Sequence, residues 1–404
     1  PGASFGVSES PDRDAGMESP DPALERSFRG HRDRVNAVAF NPNMKQLVSA
    51  SDDAAVMVWH FRPTLRAFRF IGHKAAVLSV AVSPSGDLIA SGSKDRTIRL
   101  WLPTVKGEST AIRAHMGAVR CVRFSSDGAS LLSASDDKTV KVWSVPAQRF
   151  KYSLSGHSNW VRCAEFSPDG RLIASCGDDK TIKLWDAQSR GCVHTFYDHT
   201  AQVCSVKFHP DGTCLASASA DSTIRLFDAR TFQLLQLYEA PSSGVVTDLQ
   251  FHPSGSVLIS SGEDSALRVW DLSEGHLIYT INGHEAAVTA CNFAPAGDFF
   301  ASCSADLQVN VWRTNFDKAI DLRGPGRRAL QTSEGSATQG GLQVMGRATA
   351  PPPPPQPPPQ HPWQQEGGIT TEPARPRPPT TAKRAWPTSE MEAQAAAAEE
   401  EEEC

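Results

Sequence analysis

The stretch "GHSNWVRCAEFSPDGRLIASCGDDKTIKLWD", residues Gly156 to Asp186, decides the fold. It holds His157, Ser175 and Asp179 in one short span, the residue types of a nucleophile, its general base and the acid that orients the base. Repetition gives the trio another meaning. His recurs at 31, 73, 115, 157, 199 and 284, and the same register puts Ser242 before the last of these, with steps of 42, 42, 42, 42, 43 and 42 residues. Twenty-two residues after each register position stands an Asp, at 53, 95, 137, 179, 221, 264 and 306, and four residues before each Asp a Ser, at 49, 91, 133, 175, 217, 260 and 302. An aromatic follows the register position by twenty-eight residues: Trp59, Trp101, Trp143, Trp185, Phe227, Trp270 and Trp312. A catalytic triad has no use for further copies of itself, so the expectation is structural.

Within each unit the apolar residues alternate, as in "VRCVRFS", "SLLSAS" and "TVKVW", and the runs are rich in Val, Ile, Leu and Phe. These are short strands. "SPDG", "SPSG", "HPDG" and "HPSG" supply Pro and Gly for tight turns, and "DDKT" or "KDRT" makes the next one. About four strands per unit fit a propeller blade of this period. Such a sheet cannot bury both faces alone, so seven blades should stack around an axis and close. "LERSFRGH", Leu24 to His31, matches the segment before each later His, such as "RAFRFIGH" and "LIYTINGH". Residues 24–28 are therefore expected to form the outermost strand of the last blade, beside the strand ending at Trp312. Losing them would expose an open edge.

Composition bounds the rest. With 404 residues, 40% apolar and 21% charged, and a net charge of -5, the chain reads as soluble and globular, without the basic excess that would argue for nucleic acid. No apolar run reaches the ~20 residues of a membrane span, and the first twenty residues lack the apolar centre of a signal peptide, so a cytoplasmic chain with no membrane insertion is expected. Nine cysteines without a CxxC pair, among them Cys121, Cys163, Cys204 and Cys291 in strand-like runs, read as core residues of a reducing compartment, with neither disulfide nor metal. No phosphate loop, dinucleotide fingerprint, HExxH or zinc pair is present, so neither an enzyme nor a cofactor is expected. A start at Pro1 rather than Met leads to the expectation that the true amino terminus is missing or that the sequence is a fragment, with residues 1–23 expected to be a disordered segment. The tail over 316–404, Pro-rich at 351–362 and acidic at 399–403, is low in apolar content and expected to be disordered. Its Pro run has the composition of a solvated linker, with docking in an SH3 or WW groove as the other reading.

The GH dipeptide, the turn Asp and the "WD" endings at Trp185 and Trp270 resemble WD40 repeats. The resemblance implies an all-β, seven-bladed propeller over 24–315. It also implies that His, Ser, Asp and Trp form a hydrogen-bonded chain in each blade, as in His31, Ser49, Asp53 and Trp59, in His73, Ser91, Asp95 and Trp101, in His115, Ser133, Asp137 and Trp143, and in His157, Ser175, Asp179 and Trp185. Phe227 and Ser242 each lose a polar member, which makes the fifth and sixth blades the expected least rigid ones.

Function has to be read from the rim. In WD40 proteins the residues just after each GH, and the one before the turn Asp, are common contact positions. Here they include Arg34, Asn36 and Asp52, then Lys94, then Arg120 and Asp136, then Trp160, Arg162 and Asp178, with charge and aromatic content concentrated in the first four units. Trp160 beside Arg162 and Arg120, with Asp136 and Asp178, has the composition of an interface hot spot. The alternative is that Trp160 fills the central opening.

Finer strings, "ALERSFRGHRD", "FIGHK", "VKGESTAIRAH", "SASDDKTVKVW", "NWVRCAEFSPDGRLIAS" and "TNFD", are similar to the centriolar WD40 proteins called proteome-of-centriole protein one, over residues 23 to about 317. "VKGEST" at Val105 to Thr110 is the most telling, because no turn or strand rule requires it. The resemblance implies a non-enzymatic scaffold with protein partners at the centrosome, centriole and cilium basal body of the cytoskeleton, supporting centriole assembly, centriole stability and cilium formation. The tail departs from that family: no heptad of apolar residues follows the propeller in this sequence, which leaves self-association through a coiled coil an open expectation. The competing reading is a nuclear or ubiquitin-ligase adaptor that recognises a peptide on the same face.

Overall fold

The computed structural model describes residues 22–62, 65–104, 107–241, 244–314 and 316. The expectations for the amino-terminal segment up to residue 21, for residues 317–404 and for Ser242 lie outside them. The described residues form seven four-stranded antiparallel sheets. Blade 4 shows the pattern: Val161–Phe166 is innermost, followed outward by Leu172–Gly177, Ile182–Asp186 and Cys192–Phe196.

Each innermost strand packs against those of both neighbouring blades, and the strand Val288–Phe293 of blade 7 packs against Val35–Phe40 of blade 1, so the ring is closed. The second strand of each blade is covered on both faces by adjacent sheets. Ile173, Ala174, Ser175 and Cys176 are all buried, and the equivalent strands read "LVSAS", "LLSAS" and "CLASAS". Small residues dominate there because neighbouring blades converge toward the axis. Farther out, the third strands carry the large side chains Trp101, Phe227 and Trp312 into the wider gaps. Fully exposed positions are concentrated on the outermost strands, such as Leu234–Glu239, while third strands such as Thr139–Ser144 alternate between buried and half-buried.

Closure uses the first strand. Ala23–Arg29 pairs antiparallel with Gln308–Arg313, setting Leu24 opposite Trp312 and Phe28 opposite Val309. Ser27 Oγ donates to Asn310 Oδ1 at 2.6 Å.

Every innermost strand carries the same irregularity. Its pairing with the second strand skips one residue: Asn36, Leu78, Arg120, Arg162, Cys204, Thr247 or Thr289. A bulge leaves its extra residue out of the ladder and re-aims the side chain. Asn36 Nδ2 donates to the Val77 carbonyl of blade 2 at 2.9 Å, and the Thr247 and Thr289 hydroxyls donate to Val288 and Val35 at 2.7 and 2.6 Å. The bulged residue therefore ties one blade to the next.

Candidate functional site

The triad look-alike proves to be a closed chain of hydrogen bonds. In blade 4, Asp179 Oδ2 accepts from His157 Nδ1 at 2.8 Å, which leaves the Nε2 lone pair to accept the Ser175 hydroxyl at 2.8 Å. Ser175 Oγ in turn accepts the Trp185 indole N–H at 2.8 Å. The same linkage is present in blades 1, 2 and 3 through Trp59, Trp101 and Trp143, and in blade 7 through Trp312. Ser175 is fully buried and its hydroxyl is engaged on both sides, so no substrate carbonyl can approach it. Blade 5 keeps His199, Ser217 and Asp221, with Phe227 filling the indole's place.

Blade 6 departs from expectation. Trp270 Nε1 donates to Ser260 at 2.9 Å, and the tetrad Asp264 receives the guanidinium of buried Arg268, four residues on. A cation on the third strand thus supplies a polar link where the register His is missing.

Burial and hydrogen bonding set the protonation of these groups. Burial pushes His31, His73 and His115 below the ordinary imidazole value despite their carboxylate partners. Burial alone would raise Asp95 and Asp179, but hydrogen bonds from their Thr and His neighbours outweigh it and bring both down to about 2.

Above the tetrads lies the rim. In every blade the backbone N–H before the turn Asp donates to the carbonyl three residues after the register position, as in Asp178 to Trp160 and Asp136 to Ala118 at 2.9 and 3.0 Å. These bonds hold the contact positions side by side. Arg120 makes a two-pronged contact with Asp136 at 2.7 and 3.1 Å, and Arg162 does the same with Asp178 at 2.5 and 3.2 Å. Each Arg also reaches onward: the Arg120 guanidinium lies 5.4 Å from the Trp160 ring centroid, and Arg162 donates to Gln202 of blade 5 at 3.2 Å. Trp160 is 43% exposed, with its ring against the Arg120 guanidinium of blade 3. Gly177 takes the place held by Ser51, Ser93 and Ser135 in the first three blades. A Cβ there would stand 2.3 Å from the Trp160 carbonyl, so the glycine lets this loop settle closer to its sheet.

The other sequence-predicted contacts are dispersed. Asn36 pairs with Asp52 at 2.7 Å, while Arg34 and Lys94 are exposed and stand apart from the Trp160 cluster.

A second cluster has no local motif. The innermost strands of blades 3 to 6 bring Arg123, Glu165, Lys207 and Asp248 together, with Lys207 Nζ 3.2 Å from Glu165 Oε2. Burial pushes Glu165 and Asp248 up against the pull of Lys207 and Arg123. The four residues come from four repeats: Arg123, Glu165 and Lys207 share the fifth position of their strands, while Asp248 stands third in its own.

Cysteines Cys121, Cys163 and Cys291 are buried and Cys204 half-buried. Burial raises Cys204 and Cys303 to about 12, the behaviour of core thiols. Asp271, Glu274 and His276 bring potential ligand atoms within 4.8 Å of one another. Asp271 there caps a turn, accepting from the backbone of Ser273 and Glu274.

The model for the WD domain, G-beta repeat, matches residues 23–60, 65–101, 107–144, 148–186, 190–228, 232–271 and 275–313. The chain belongs to the WD40 repeat family. The WD40 match opens each repeat on the outermost strand of the preceding blade, so its first unit begins with the closing strand. Among curated proteins, the chain is similar to POC1 centriolar protein homolog A of Xenopus tropicalis, 58% identical over 50 residues, which is 12% of this chain and 11% of the relative. It is 57% identical over 49 residues to homolog A of Bos taurus, 12% of each chain. For homolog B of Danio rerio the identity is 52% over 50 residues, 12% of this chain and 10% of the relative. The aligned stretch is thus about a tenth of each relative. Of "VKGEST", Val105 and Lys106 lie outside the described residues. Gly107 adopts a φ of +60°, and a Cβ there would meet the Phe70 ring at 2.4 Å, a packing reason for the motif's glycine.

Proposed function

We propose that this WD40 ring is a non-enzymatic protein-interaction scaffold at centrioles and basal bodies, where it supports centriole assembly and stability and cilium formation. The observation that carries the interaction reading is Trp160, a 43% exposed indole backed by Arg120 and flanked by Arg162. Both guanidiniums are already held by Asp136 and Asp178. A rigid aromatic anchor with prearranged polar neighbours loses little freedom on binding. The centriolar placement is supported by the named relatives.

Two measurements test it. A tagged full-length chain imaged against a centriole marker should form paired puncta on it; diffuse nuclear signal would instead favour the adaptor reading. Trp160→Ala should abolish the punctate signal while changing stability by less than about 1 kcal/mol, as for a surface substitution. Retained puncta with a large stability loss would defeat the Trp160 assignment.

A further inference from the structure

The seven turns that carry the tetrad aspartates share one backbone and differ in charge. Just after each Asp sits a residue with positive φ, between 59° and 71°, which projects from the turn apex. In blades 2, 3 and 4 that residue is Arg96, Lys138 or Lys180; in blades 5, 6 and 7 it is Ser222, Ser265 or Leu307. Lys94 and Arg113 extend the cationic arc, and Lys141 lies below it. Exposed carboxylates gather over the opposite half, at Glu239, Glu263 and Glu285. The ring is electrically lopsided.

Arg96, Arg113 and Lys141 also line a cleft of about 490 Å³ between blades 2 and 3, together with Met116, which is 81% exposed. The carboxylate at its wall, Asp95, and that of the neighbouring turn, Asp137, are already engaged. Asp95 accepts from His73, Thr97 and the Lys74 N–H, and Asp137 from His115, Thr139 and the Met116 N–H. Among the described residues, none of Lys94, Arg96, Arg113, Lys138, Lys141 and Lys180 forms an ion pair.

We infer that the arc over blades 2 to 4 docks an acidic peptide segment of a partner protein. Its carboxylates enter the cleft between Arg96, Arg113 and Lys141, and a neighbouring apolar side chain rests on Met116. The guanidinium fork suits a carboxylate, and unpaired cations on one half of a ring select both the sign and the position of the partner. A nucleic acid fits less well: the chain's net charge is -5, and the residues lining the cleft include no exposed aromatic on which a base could stack. This surface goes beyond the Trp160 reading and does not depend on it.

The test uses the full chain and a fluorescein-labelled octaglutamate peptide, read by anisotropy at low salt. Binding should weaken as salt rises, and a glutamine octapeptide should not bind. Arg96→Glu with Arg113→Glu should weaken octaglutamate binding at least about tenfold, as expected when attractive charges become repulsive. Arg171→Glu, which reverses an exposed cation on the far side of the strands, should change it less than about twofold, and so should Trp160→Ala. Arg96→Gln with Lys141→Gln serves if the double reversal does not fold, with an intermediate loss expected. The inference is overturned if the arc variants bind like the parent, if the glutamine peptide binds equally well, or if octathymidylate binds more tightly than octaglutamate.

Discussion

Ser175 shows how much a single hydroxyl does in this ring. It donates to His157 and accepts from Trp185, linking a loop on the upper face to the third strand of the same sheet. Ser175→Ala would leave an imidazole nitrogen and an indole N–H buried without partners. The expected loss is about 1–3 kcal/mol, read as a lower urea midpoint with unchanged slope. An unchanged midpoint would mean that the tetrad is ornamental. The residue types of this chain were legible because the period repeats them. Arg268 was not: its role depends on Asp264 losing a partner, and nothing local marks an Arg as a substitute for a His in another strand. Trp160 was legible as an anomaly of register, but Gly177, which seats its loop, is visible only once the two strands are paired.

Among the blades, the fifth lacks the indole donor and the sixth replaces the His link with the Asp264–Arg268 pair. Hydrogen exchange should therefore be faster in the third and outer strands of blade 5, Thr223–Asp228 and Leu234–Glu239, than in the equivalent strands of blade 3, with blade 6 intermediate. Equal protection across the three would sink this ordering. Strand and turn positions could be read from alternation and from Pro and Gly. The bulge in each innermost strand could not, because a bulge is a property of two strands in register, and no residue type is shared by Asn36, Leu78, Arg120, Arg162, Cys204, Thr247 and Thr289. Yet it is the bulge residue that reaches the neighbouring blade at Asn36, Arg120, Arg162, Thr247 and Thr289.

For the ring as a unit, the tetrads make stability depend on acidity. His31, His73 and His115 titrate below their unfolded value of 6.5, so the unfolded chain takes up protons first, and stability present above that value is lost as the pH falls below it. Asp95 and Asp179, at about 2 against 3.8 unfolded, add a second loss as the pH falls from 3.8 toward 2. Glu165 and Asp248, raised by burial, act in the opposite sense. The thermal midpoint should be level above about pH 7 and decline in two stages on acidification; a midpoint constant from pH 7 to pH 3 would contradict the tetrad assignment. Seven blades and their closure were legible in the chain. The charged cluster of Arg123, Glu165, Lys207 and Asp248 was not, since each repeat supplies one member and only assembly brings them together.

The pairing of Ser27 with Asn310 joins residues 283 positions apart. On a ribosome adding about 5–20 residues per second, the first strand is made from roughly 15 s to about 1 min before its partner exists. Throughout that interval it is an orphan beside nascent blades that offer open edges of their own. Its sequence, ALERSFR, holds Glu25, Arg26 and Arg29, charges that discourage premature pairing. The seam of the ring is therefore also a timer: the last blade can be completed only after the seventh repeat has emerged, and until then the strand that will close it has to remain solvated.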